Sequence, residues 1–446
     1  MAENPYQYDS PISDAARFAG RQEAFAFVQT HLASGERQAL VIMGPQQIGK
    51  SSLLRQVPAH LDARFYPVRL SLRAGSVAGE QAWLTTLAET IPGALAALDI
   101  QSARLPVLPG QPAELREALT GEYMAEGLRA LRRDRHLLIM VDNAERLLTA
   151  VQARDLPRDS FAFLGRLLEA HPRLHLLMAV DSQHESALLS TGAPFAPRLV
   201  YRLGPLAREE VDALLTRPLA DTVAYEPAAL DALYELTAGH PYLAQLMGWL
   251  LYERSEARGH ALPIGAEDVE AVIEPALGLA GDMLGQVWSH GSPQERLVLA
   301  ALSALSPEEP PTPVHHEDIS AWLMAADRPL DPRTVNATWR RLEYEGVLQL
   351  SADGRLVVRG GLQRRWLRAH VTLPEEAGGL QVASRRRAGF IAVVALLVAL
   401  AALLAALSVL PGREAPESGE QATITFVLDL QATQDSYSAT QTAAAP

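Results

Sequence analysis

The sequence predicts an α/β fold: a parallel sheet core covered by helices, then a helical lid, a unit of three helices with a hairpin, and a single membrane-spanning helix. Three observations predict it. Short apolar runs such as "ALVIM" (39–43) and "LLIMV" (137–141) are what strands buried on both faces look like, and parallel sheets are buried on both faces. The first run leads through "GPQQIGK" into "SSLLRQV", a strand, a glycine-bearing loop and a helix in succession. Near the C-terminus, 388–410 reads "AGFIAVVALLVALAALLAALSVL", 23 residues without a charge.

At 446 residues the chain has room for two or three domains. Apolar residues at 48% and charged residues at 20% exclude general disorder. The net charge of -13 argues against a surface basic all over for nucleic acid, while leaving room for local patches. Cysteine is absent, which removes disulfides, thiolate metal sites and cysteine nucleophiles and fits a reducing compartment. The opening "MAENPYQYDS" has neither the basic nor the apolar region of a signal peptide.

The loop after the first strand, Gly44-Pro45-Gln46-Gln47-Ile48-Gly49-Lys50-Ser51, fits the phosphate-binding pattern G-x-x-x-x-G-K-[ST] in its required context. Its glycines let backbone N–H groups curl around phosphate oxygens at a helix N-terminus. Lys50 is positioned for β- and γ-phosphates, and Ser51, followed by Ser52, for Mg²⁺ and the phosphates. Lysine and arginine total 39, and Lys50 is the sole lysine. A slim stem ending in a compact charge suits a loop wrapped around phosphate, whereas a broad planar guanidinium does not. This is the one position where shape blocks the chain's bias toward arginine.

The second run ends in Asp142, the expected metal-side carboxylate; capping the following "AERLLTAV" helix is its alternative, compatible role. Many such sites place a glutamate next, but here Asn143 follows. Glu145 is then the nearby acid able to polarise water, and without it the site would bind ATP and hydrolyse it slowly. The cofactors implied are ATP or ADP with Mg²⁺. "LHLLMAV" (174–180), ending in Asp181 and Ser182 where a γ-phosphate sensor could sit, and "FYPVRLSL" (65–72) supply further strands separated by helical patterns.

"NPY" (4–6) followed by "FAGRQEAF" (18–25) resembles the entry segment of STAND-type ATPases, the signalling branch of P-loop proteins related to AAA+ and origin-recognition ATPases. "YRLGPLAREEVDALL" and "YELTAGHPYLAQLMGWLL" resemble that family's helical lid. The resemblance covers about residues 4 to 260. It implies that Gly20 and Arg21 belong to an adenine-side loop, and that Gly239-His240-Pro241 is the Gly-x-Pro element over the base. An ordinary helix-breaking turn is the alternative for Gly239 to Pro241, and His240 by itself reads as a satisfied structural histidine. Arg198 and Arg202 are candidate arginine fingers by position only.

Residues 292–370 change pattern: "SPQERLVLAALSAL", "HEDISAWLMAA" and "DPRTVNATWRRLEYEGVL" read as three helices, and "VLQLSADGRLVV" as a hairpin around Asp-Gly. That is a winged helix. Its third helix carries Arg333, Arg340 and Arg341, but also Asp331, Glu343 and Glu345, a modest phosphate-binding surface. Such units in STAND-like proteins often pack back on the nucleotide domain, which is favoured over DNA contact. His315, His316 and Glu317 read as a solvated helix start rather than a metal cluster.

The expected organisation is an entry segment (1–36), an NTPase core (37–205), a lid (206–270), a winged helix (285–372), a linker (373–387), the membrane span (388–410) and a disordered extracytoplasmic tail (411–446). At about 1.5 Å per residue the apolar run matches a bilayer core of about 30 Å. Arg385, Arg386 and Arg387 before it place the main body in the cytoplasm of a single-pass cell-membrane protein. The favoured expectation is a membrane-anchored, ATP-binding signalling switch, working through a protein partner or self-association. The alternatives are a tethered DNA-binding regulator and an ATPase of an envelope or secretion assembly, which the short tail disfavours.

Overall fold

In the computed structural model the described residues are 4–35, 39–100, 105–131, 134–192, 194–220 and 222–371. The linker, the apolar run 388–410 and the tail lie outside them. Among the described residues no helix is long and apolar enough to cross a membrane.

Five strands form one parallel sheet: β1 (Leu40–Gly44), β2 (Phe65–Ser71), β3 (His136–Asp142), β4 (Leu174–Asp181) and β5 (Val200–Arg202), in the order β2-β3-β4-β1-β5. Alternation along each strand divides its side chains between two cores. On one face Val41, Met43, Ile139, Val141, Met178 and Val180 pack under most of the intervening helices; on the other Leu40, Ile42, Leu138, Met140, Leu177 and Ala179 meet Phe25, Leu53 and Leu54. The apolar runs at 39–43 and 137–141 are therefore strands because both faces are covered. β5 was not expected as a strand; three residues are too few to show a period.

The helices around the sheet are α1 (Gln22–Ala33), α2 (Lys50–Gln56), α3 (Glu80–Ala88), α4 (Thr90–Ala97), α5 (Pro112–Thr120), α6 (Glu122–Ala130), α7 (Glu145–Ala153), α8 (Ser160–Ala170) and α9 (Glu185–Ser190). Next come α10 (Arg208–Thr216), α11 (Pro227–Thr237), α12 (Pro241–Glu256), α13 (Ala266–Ala271) and the long α14 (Ile273–Ser289). The remaining elements are α15 (Pro293–Leu305), α16 (His316–Ala325), α17 (Pro332–Tyr344), an antiparallel pair β6 (Leu348–Leu350) and β7 (Leu356–Val358), and α18 (Gly361–His370). Three helices and a ribbon thus follow each other as the sequence suggests. Ser292 and Glu295 close a reciprocal capping box at α15, and Asp331 caps α17.

Two helices lie outside the expected pattern, α14 and α18, and they pack on each other: a Cβ on Gly285 would stand 3.0 Å from the Trp366 ring. Their pairing joins regions expected to be separate. One apolar core runs from Leu206 through Leu233, Met247, Ile273 and Leu284 to Leu302, Leu342 and Leu367. Lid helices and C-terminal elements share it.

Candidate functional site

Lys50 opens α2 directly after Gly49, which has φ +98°, and Gln47 also has positive φ at +57°. These left-handed residues turn the loop back over the helix N-terminus. The Lys50 ammonium donates to the carbonyls of Gly44 and Pro45, each at 2.7 Å. Burial lowers its pKa, while Asp181, Glu145 and Asp142 pull it back up. Asp181 Oδ2 is 3.9 Å away and has no hydrogen-bond partner; the side chain is 7% exposed. Pro45 and Gln46 follow Gly44 at the cavity wall, and Ile48 is buried at 1% exposure, its methyl group 2.9 Å from where a Cβ on Gly44 would stand.

Ser51 Oγ donates to Asp142 Oδ1 at 2.9 Å. Two oxygen ligands at that separation suit adjacent corners of an octahedron with bonds of about 2.0–2.1 Å, the geometry Mg²⁺ demands. Asp142 does not cap the next helix: α7 begins at Glu145 after Ala144, and Asp142 Oδ1 accepts the N–H of Asn143 at 3.1 Å. Asn143 has φ +57°, a region in which asparagine is enriched, so the backbone itself accounts for Asn at the position where a glutamate is common. Glu145 is half-buried; its Oε2 has no hydrogen-bond partner, yet its charge acts on Lys50.

Ser52 plays a different part from its neighbour. Its hydroxyl accepts the N–H of Ile12 at 3.0 Å, while Gln56 Nε2 donates to the Ser13 carbonyl at 2.9 Å, so the entry segment is strapped to α2. The same segment reaches the lid, where Asn4 donates to Trp249 O and Tyr6 packs on Gly248. Arg21 ties three pieces together. Its guanidinium donates to Gly204 O at 2.6 Å and Ile48 O at 2.9 Å, and its N–H to Glu210 Oε1 on α10. Gly20 has φ +72°, a left-handed conformation that favours glycine, and the Glu210 carboxylate lies close over it.

The Gly239-His240-Pro241 turn abuts the loop. Gly239 has φ +77° and a Cβ there would meet Leu206 O at 2.2 Å; Pro241 Cγ lies 3.9 Å from the Cβ position of Gly49. Burial, with Arg21 nearby, pushes the His240 imidazole down to about 4 against a bond to the Gln46 backbone, and its Nδ1 has no hydrogen-bond partner. His240 is thus less satisfied than a purely structural histidine.

A cavity of about 360 Å³ borders the first part of the loop, Gly44 to Gln46 and Ile48, while Lys50, Ser51, Asp142 and Glu145 are not on its wall. Gly44, Pro45, Gln46, Asp181 and Arg202 form its core side, His240 and Met283 the lid side, and Arg341, Glu345 and Arg359 the C-terminal side. Tyr344, at the end of α17, donates to Glu185 and accepts from Arg202, which also ion-pairs with Glu185. Arg202 is thus paired with Glu185 and Tyr344 within the chain, with its side chain half exposed. His315, His316 and Glu317 are not brought into a metal cluster, and none exists among the described residues. Glu185, Glu210, Tyr344 and Glu345 come to the site through tertiary packing alone, so no local pattern marks them.

Strand, phosphate loop and helix on a parallel sheet, with an acidic strand end two strands away bonded to the loop serine, define a P-loop NTPase. The chain belongs to the Novel STAND NTPase 1 family, whose model matches residues 7–305. Its fold is similar to that of a Walker-type ATPase of Pyrococcus abyssi: 15% identity, TM-score 0.55, covering 81% of this chain and 99% of that one. It is also similar to the ORC2 protein of Aeropyrum pernix, solved as ADPNP–ADP complexes: 14% identity, TM-score 0.50, covering 80% and 97%. No match to a curated protein is found.

Proposed function

We propose that the chain is a membrane-anchored nucleotide-dependent switch that binds ATP or ADP with Mg²⁺ and hydrolyses ATP. Gly44 to Ser52 cradle the phosphates, Lys50 neutralises them, and Glu145 orients the attacking water. Ser51 and Asp142 would hold a Mg²⁺ ion, which would supply further neutralisation of phosphate charge. Gly20, Arg21 and Pro241 hold the entry segment and lid against the loop on the base side. Residues 293–371 are a winged-helix unit acting in regulation.

One observation carries the reading: the phosphate loop, the lid and the C-terminal unit line the same cavity. A ligand in that cavity touches all three, so a diphosphate and a triphosphate can differ in affinity for the closed arrangement, which is what a two-state switch requires. The apolar core shared from Leu206 to Leu367 supports motion of lid and C-terminal unit together. The uncharged run 388–410 after Arg385–Arg387 supports anchoring with the ATPase on the cytoplasmic side. The DNA-reading alternative is weakened because Arg341 is paired with Glu295 and Glu345. The test is nucleotide retention by the full chain: wild type should purify with or bind ADP, and Lys50→Ala should not. Equal binding by both ends the proposal.

A further inference from the structure

Glu345 directly follows α17 and lies on the wall of the cavity that Gly44, Pro45, Gln46 and Asp181 also line. Its charge is poorly compensated. Arg341 Nε stands 3.0 Å from Glu345 Oε1 and 3.0 Å from Glu295 Oε1, so one guanidinium serves two carboxylates. Glu295 cannot turn away, because its other oxygen accepts the Ser292 N–H at 2.6 Å in the capping box and its side chain is 5% exposed. Across the cavity Asp181 adds a third carboxylate, buried, with Oδ2 lacking a hydrogen-bond partner and 3.9 Å from the Lys50 ammonium. Burial and then the Glu295 and Asp181 carboxylates push the Glu345 carboxyl above its ordinary range, against the pull of Arg341.

Negative charge therefore gathers on the side of Lys50 where Asp181 lies, and the docked C-terminal unit delivers part of it. A diphosphate ends its charge at the ammonium. A third phosphate adds charge next to it, on the side of Asp181, and Asp181 and Glu345 line the same cavity, where partly buried charges are screened less than in open water. We infer that Glu345 is a nucleotide-discriminating residue: from the docked C-terminal unit its carboxylate opposes the terminal phosphate of a nucleoside triphosphate, so the docked form favours the diphosphate. The inference rests on the nucleotide-switch reading and names its discriminating group. Binding a triphosphate then works against docking, and Glu345 couples the two without touching the diphosphate.

The experiment measures dissociation constants of the full chain for ADP and for a non-hydrolysable ATP analogue, both with Mg²⁺, in wild type, Glu345→Gln and Glu345→Lys. The glutamine keeps an acceptor for Arg341 and removes the charge. The preference for ADP over the ATP analogue should shrink by about 10-fold in Glu345→Gln, mostly through tighter binding of the analogue, and should shrink further or reverse in Glu345→Lys. An unchanged ratio in Glu345→Gln overturns the inference while leaving the switch reading standing. So does an identical ratio in the two variants, because simple undocking ignores the sign of the new charge. If wild type binds neither nucleotide, or Lys50→Ala binds both as well as wild type, the switch reading fails and takes the inference with it.

Discussion

The two ends of the parallel sheet treat charge in opposite ways. At the C-terminal ends of its strands, buried Asp142 and Asp181 gather around Lys50, and Asp181 Oδ2 and nearby Glu145 Oε2 have no hydrogen-bond partner. At the N-terminal ends, His136 Nδ1 and His175 Nε2 satisfy each other at 2.9 Å beside the Phe65 ring. Burial, then the neighbouring His136 and Arg64, pushes His175 down to about 4, so the pair is neutral at neutral pH. Burying an unpaired polar group costs about 1–3 kcal/mol, and a buried charge without compensation costs more. The fold tolerates that cost at the end where loops and helix N-termini converge, and removes it at the other end. Unsatisfied charge thus marks the ligand end of this sheet, and mutual satisfaction marks the structural end.

The largest expected effect breaks the ligand end. Lys50→Ala removes the sole lysine and leaves Asp181 and Asp142 facing phosphate uncompensated. Nucleotide affinity should fall on the order of 1000-fold, about 4 kcal/mol, by calorimetric titration of the full chain. Retained affinity would place the ligand elsewhere.

The next effect belongs to the structural end and leaves nucleotide binding alone. His175 titrates near 4 in the fold and near 6.5 when unfolded, so the unfolded chain takes up its proton first as pH falls. Its contribution is complete above pH 6.5 and is lost between 6.5 and 4, amounting to about 3 kcal/mol. His136 and His171, also lowered by burial, and His240 add with the same sign. Denaturant unfolding across that range should show a stability slope that flattens in His175→Phe. A slope unaffected by this variant would show that the pair does not stay neutral.

Glu145→Gln sharpens the comparison by removing an orphan charge without changing shape. ATP turnover should fall about 100-fold while ADP affinity is kept, the separation expected of a group acting on water rather than on binding. The smallest effect is at the contact between core and C-terminal unit. Tyr344→Phe removes the hydroxyl bonded to Glu185 and Arg202 and leaves those two paired, so the docked arrangement should lose about 1 kcal/mol. Protease sensitivity of the α17–β6 connection in the ADP form should rise about 5-fold.

Much of the ligand end was legible because local rules write it. Gly49 and Lys50 are fixed by the loop they form, and the runs into Gly44, Asp142 and Asp181 stay apolar because both faces of their strands are covered. The three helices and hairpin were legible through the Ser292-Pro293 start and the Asp353-Gly354 turn, whereas the Asp331 cap emerged only in the fold. What escaped is set at long range. β5 is too short to carry a period, and α14 with its glycines reads as a connection until Trp366 of α18 packs on Gly285. Asn143 read as a missing base, whereas its left-handed backbone gives it a conformational reason. Glu185, Tyr344 and Glu345 matter only because β4, β5 and α17 meet.

The central claim is that nucleotide identity sets the docking of the C-terminal unit on the core. The chain has no cysteine, so spin labels on Ser186→Cys in α9 and Ala337→Cys in α17, both exposed, report one distance without background. With ADP the account predicts a single narrow distance; with a non-hydrolysable ATP analogue it predicts a longer or broader distribution, and with Lys50→Ala no response to either. Identical distributions for ADP and the analogue in the otherwise wild-type chain would contradict it.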